Sequence, residues 1–162
     1  MRIIIVLIVC LVIVPVASAR ATLRDSSSAR TMRVSYDPMR VLAWDVQRHV
    51  PNWRYYRALG RCEQPGDGLW GIAWDTQGPS YPGGLGVSAT LWHSAGTNAT
   101  SMSLHQHEAS PAMQMIHAQM VVNKYGVFAW GCADEALAQA SIVRVSDARL
   151  RRLVRFYSHR EK

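Results

Sequence analysis

Cysteine is scarce in this chain, with three residues in 162. That excludes a disulfide-dense scaffold and a zinc centre built on four cysteine ligands. Glycine is missing outside the span from Gly60 to Gly131, which holds all eleven. A membrane-spanning helix needs about 20 apolar residues, and the one long apolar run, from Ile3 to Val16, stops short of that. There is no internal repeat, no Gly-x-Ser-x-Gly elbow, and no glycine loop followed by Lys-Ser or Lys-Thr. These absences argue against a repeat array, a serine hydrolase of the elbow type and a phosphate-loop nucleotidase. What is present is globular: 49% hydrophobic and 18% charged residues, at a length that suits one domain.

The first residues read as a targeting segment. Met1-Arg2, the apolar run and the small-x-small end Ala17-Ser18-Ala19 have the order of a secretory signal peptide, residues 1–19. The competing reading is an uncleaved anchor. Cleavage near Ala19 places the chain outside the cell or in the cell envelope and removes Cys10. Cys62 and Cys132 then remain, and an even pair in an oxidising compartment reads as one disulfide, against the alternative of two buried free thiols.

Residues 20–36 are rich in Ser and Arg and read as a mobile polar leader. The formal net charge is +7, and it sits in the flanks. Residues 20–49 carry six basic and three acidic side chains, and residues 135–162 carry seven and three. Between them the glycine-containing centre is near neutral. Asp37-Pro38 reads as the cap and start of a first helix, Pro51 as the start of a second that ends near Cys62. Residues 64–90 hold seven glycines and three prolines and read as loop and short hairpin. Ser110-Pro111 opens a further helix, with Met113, Ile116 and Met120 at helical spacing and Gly126 as its stop. Ser146 caps a last helix, with Leu150, Leu153, Val154 and Tyr157 on one face and Arg149, Arg151, Arg152 and Arg155 on the other.

Glu63 is the chemically suggestive carboxylate. It falls at the end of the second predicted helix, where the macrodipole disfavours added negative charge. Trp70 and Trp74 follow in the glycine loop, and an indole against a carboxyl raises its pKa further. A Glu tuned in this way serves as a general acid.

A longer pattern surrounds it. Trp53 precedes Leu59-Gly60-Arg61-Cys62-Glu63; then come Tyr81-Pro82-Gly83-Gly84-Leu85 and Trp92. Ala109-Ser110-Pro111-Ala112-Met113-Gln114-Met115 follows, then Tyr125-Gly126 and Ala129-Trp130-Gly131-Cys132. In order and spacing this resembles the resuscitation-promoting-factor catalytic domain, a transglycosylase-like, lysozyme-related family of actinobacteria and their phages. The resemblance implies a mainly helical, lysozyme-like α+β domain over residues 37–134, with a basic helical extension over 135–162. It implies that Cys62 pairs with Cys132 and that Glu63 is the catalytic acid. Four departures stand out. The loop after the Glu is lengthened to Gln64-Pro65-Gly66-Asp67-Gly68. Gly86 replaces a Gln, Leu91 replaces a substrate-contacting Thr although Thr90 is adjacent, and Tyr125 replaces a Gln.

The activity so implied is exported cleavage of peptidoglycan glycan strands at the β-1,4 bond between N-acetylmuramic acid and N-acetylglucosamine. Hydrolases of this kind use a second carboxylate. Asp67 and Asp75 are the local candidates, and neither sits in a recognisable motif. A single Glu suits a lytic transglycosylase, in which the muramyl 6-hydroxyl attacks and leaves a 1,6-anhydro end. Trp74 and Tyr81 are candidates to stack on sugar rings, Gly84 to let a glycan approach the backbone, and Thr90 to contact substrate. Trp92 and Trp130 read as core. The alternative function is a catalytically silent wall-binding or partner-binding module on the same fold. No cofactor or metal is implied: His105-Gln106-His107-Glu108 reads as a polar surface loop. The basic last helix reads as a solvated flank or as a surface for anionic wall polymer or membrane, and not as a nucleic-acid site, because aromatic residues do not interleave with its arginines.

Overall fold

A computed structural model describes residues 37–78, 80–94 and 105–160. The signal-peptide and polar-leader expectations, residues 1–36, lie outside the described residues. Helix α1 (Pro38–His49) starts as the sequence predicts: the Asp37 carboxylate accepts from the N–H groups of Met39 and Arg40, with Pro38 in the first turn. Helix α2 (Trp53–Glu63) begins two residues after Pro51, because Asn52 takes a left-handed conformation at its N-cap, φ 56°. Helix α3 (Ala89–Ser94) is short. Helix α4 (Pro111–Tyr125) is capped by the Ser110 hydroxyl, which accepts from Met113 N–H, and is stopped by Gly126 at φ 87°. Helix α5 (Ala133–Gln139) follows Cys132, and helix α6 (Asp147–Ser158) follows Ser146. Ser146 occupies the expected cap position, but its side chain makes no capping bond.

The expectation of a mainly helical fold with one disulfide is met, and the strand content is small. The described residues are mainly helical, and the expected hairpin region contains a single antiparallel bridge, Pro65 to Ile72. Its glycines and prolines favour turns over a ladder: Pro65 has no N–H to donate, and Trp70 and Gly71 both take positive φ.

Helix α4 is the centre of the core. Every residue from Ala112 to Gln119 is buried, so the helix is enclosed on all sides and not merely packed on one face. Helices α3 and α6 pack against it, and α1 and α5 pack against α2. The apolar face predicted for the last helix is realised: Leu150, Val154 and Tyr157 are buried and the four arginines are exposed. Two asparagines bind the extended segment leading to α6. Asn52 donates to Val143 C=O and accepts from Val143 N–H; Asn123 does the same with Val145. No helix among the described residues is long and apolar enough to cross a membrane.

Candidate functional site around Glu63

Glu63 is the last residue of α2, half-buried, beside the Cys62–Cys132 disulfide. The bond joins the end of α2 to the residue before α5, with Cα atoms 6.0 Å apart. Glu63 Oε1 accepts the backbone N–H of Cys132 at 2.9 Å. The disulfide therefore brings the carboxylate and its donor together across 69 residues of sequence. Two glycines leave room around the carboxylate. A methyl group at Gly86 would lie 3.6 Å from Glu63 Oε2, and one at Gly131 would lie 3.9 Å from Oε1. Gly86 is in the left-handed region, φ 58°. Oε1 thus has a backbone donor, while Oε2 lies on the side of Gly86.

The turn that carries Gly86 is fixed from below. Gly84 N–H donates to Gln114 Oε1 at 2.8 Å, and Gln114 Nε2 donates to the carbonyls of Trp74 (2.8 Å) and Ala109 (2.9 Å). Trp130 Nε1 donates to Leu85 C=O at 2.8 Å, and Gly83 N–H donates to Thr76 C=O at 2.8 Å. The Gly-Gly-Leu turn is thus anchored on the central helix and on the segment that ends at the disulfide.

Trp74 is buried at 7% exposure, its indole N–H donating to Leu69 C=O. Gly84 is buried too: an added methyl would meet the Trp74 ring at 2.6 Å, and its N–H is held by Gln114. In this structure both residues face inward. Tyr81, 59% exposed, and Thr90 are on the surface, and no hydrogen bond or ring contact joins either to Glu63. Trp70 stacks on Trp53 with centroids 5.7 Å apart, and the guanidinium groups of Arg54 and Arg57 lie over the Trp53 ring. Trp92 and Trp130 are core residues, as the sequence suggests.

The 105–108 segment lies at the surface at His105 and Glu108, which are exposed, and departs from the expected surface loop at Gln106. It contains a single 3-10 turn, and Gln106 is buried at 1% exposure. The reason is Gly83, whose missing side chain makes room: a methyl there would meet Gln106 Cγ at 2.7 Å. The His105 and His107 rings stack 5.6 Å apart.

One carboxylate that sequence reasoning passed over is Asp134, in the first turn of α5. The Tyr55 hydroxyl is buried without a hydrogen-bond partner, and its pKa is pushed up to about 12, first by burial and then by the negative charges of Glu63 and Asp134. Asp67 and Asp75, the carboxylates nearest in sequence, are exposed in the loop. Asp134 itself is exposed, and it shares with Glu63 only its effect on the Tyr55 hydroxyl.

Compared with models of protein families, with curated proteins and with solved structures, the chain matches none.

Proposed function

We propose that this protein is an exported peptidoglycan-cleaving enzyme of lysozyme-like type, with Glu63 as its general acid. The observation that carries the reading is the state of the Glu63 carboxyl: half-buried, beside the disulfide, with Oε1 held by Cys132 N–H and Oε2 towards Gly86. A carboxyl fixed at one oxygen presents the other in a defined direction, which proton transfer in a transition state requires. In the reaction Oε2–H protonates the glycosidic oxygen of the leaving N-acetylglucosamine as the C1–O bond of N-acetylmuramic acid breaks. The muramyl 6-hydroxyl then adds to C1 and returns its proton to Glu63, leaving a 1,6-anhydro end. Water in place of that hydroxyl gives a reducing end, and on that route Asp134 is the acidic side chain to test as the second carboxylate.

The second reading, a silent wall-binding module, is favoured by one specific observation. Trp74 and Gly84 are consumed by internal packing and hydrogen bonds, which removes two of the expected sugar contacts. Digestion of purified peptidoglycan by the oxidised protein, with products read by mass spectrometry, separates the two. Soluble muropeptides with anhydro ends are the expected result. Binding to sacculi without any release overturns the enzymatic reading.

A further inference from the structure

Helices α4 and α6 pack against each other, and both line one cavity of about 320 Å³. Helix α4 presents Met120 and Lys124 to it, and α6 presents Asp147, Leu150 and Arg151. Each set follows the three- and four-residue spacing of a single helix face. Arg144, from the extended segment before α6, completes the lining. The apolar part is Leu150, fully buried, and Met120, half-buried. The charged part is three cations against one carboxylate. Asp147 forms no ion pair with any of them among the described residues; its Oδ1 accepts from Asn123 Nδ2 at 3.5 Å. The Arg144 and Arg151 guanidinium groups have no hydrogen-bond or ion-pair partner among those residues. Lys124 Nζ donates to Ser94 C=O at 3.0 Å, which fixes its charge without neutralising it. Arg144 is also held in place, because its neighbours Val143 and Val145 are the two residues clasped by Asn52 and Asn123. A cation placed in advance costs less to order when a ligand arrives.

The volume is at the small end of the roughly 300–1,000 Å³ range of ligand pockets, so the occupant is about one residue in size. The excess of cations calls for an anion, and Asp147 limits its charge. A phosphate monoester brings nearly two negative charges beside that carboxylate. An organic carboxylate brings one, and its planar pair of oxygens matches a guanidinium fork. A nitrogen adjoining the carboxylate gives Asp147 a donor to accept from. Met120 and Leu150 suit an apolar side chain. We infer that the α4–α6 cavity binds the carboxylate end of an apolar amino acid or peptide. Arg144 and Arg151 take the carboxylate, Asp147 the adjoining N–H, and Met120 and Leu150 the side chain. The inference does not depend on the enzymatic reading of Glu63.

The test is titration of the oxidised exported chain, residues 20–162, with N-acetyl-leucine, followed by backbone amide NMR shifts. Saturable binding with a Kd of about 1 mM or tighter is expected, with shifts at Met120, Asn123 and Leu150. N-acetyl-leucinamide, which lacks only the carboxylate, and acetate, which lacks the apolar body, are each expected to bind at least about tenfold more weakly. The Arg144→Gln/Arg151→Gln pair is expected to weaken N-acetyl-leucine binding by about tenfold. Both side chains are exposed, and circular dichroism verifies that the variant is folded. Free leucine separates the two sources: binding equal to that of N-acetyl-leucine identifies a free amino acid, and weaker binding a peptide end. No saturable binding overturns the proposal. So does equal binding of N-acetyl-leucinamide, which means that the cavity is an apolar cleft only, or unchanged binding by the arginine pair. Tighter binding of glycerol 3-phosphate than of N-acetyl-leucine overturns it as well, and assigns the cavity to phosphates.

Discussion

Gln114 has no exposed atom and satisfies three backbone groups at once, the Gly84 N–H and the carbonyls of Trp74 and Ala109. A leucine there strands all three in the core. Gln114→Leu is therefore expected to lose about 3 kcal/mol of stability in urea denaturation. It is also expected to loosen the turn bearing Gly86, beside Glu63. His117 is fully buried, its Nε2–H donating to Trp92 C=O at 2.8 Å. Burial, the dominant effect, pushes its pKa down from 6.5 to about 4. The unfolded chain takes up this proton below pH 6.5 and the folded one only near pH 4. Stability contributed by His117 thus falls as pH drops through that window, by about 3 kcal/mol in total, and is level below it. Denaturation midpoints at pH 7 and pH 4.5 are expected to converge in His117→Gln relative to wild type. At this scale the sequence speaks unevenly. The cysteine pair is legible because, with Cys10 set in the apolar run, only Cys62 and Cys132 are left to join, whereas Glu63 is singled out by the family resemblance and not by its place at a helix end. The inward turn of Trp74 and Gly84 is not legible, because an aromatic ring and a glycine in a loop suit packing and sugar contact equally.

Among the elements, the join between α2 and α5 carries the candidate site. The disulfide closes a loop across 70 residues, and its loss is expected to cost about 4 kcal/mol in the chain-entropy model. Comparing thermal midpoints of the oxidised protein and Cys132→Ser measures this. The same variant is expected to release Glu63 Oε1 from its backbone donor and so to lower activity more than stability alone explains. The helix starts at Asp37-Pro38 and Ser110-Pro111 and the stop at Gly126 were readable because caps and breakers act locally. Asp37→Ala is expected to cost about 1 kcal/mol through the lost cap of α1. How little strand the loop and hairpin region holds was not readable, because glycine and proline mark turns without saying whether strands form between them. The asparagine clasps on Val143 and Val145 were invisible, since they bridge segments up to 91 residues apart.

The whole molecule divides its chemistry by surface. The near-neutral centre carries the disulfide, Glu63 and the turn bearing Gly86, while the basic flanks supply α1 and α6, which touch through His49 and Phe156. The central claim rests on one carboxyl. The most direct measurement compares wild type with Glu63→Gln on purified actinobacterial peptidoglycan, counting muropeptides released by mass spectrometry, with circular dichroism confirming equal folding. The account predicts release by wild type and a loss of about a hundredfold or more in Glu63→Gln, the range expected for removal of a general acid. Equal release by both proteins, or sacculus binding with no release by either, would contradict it.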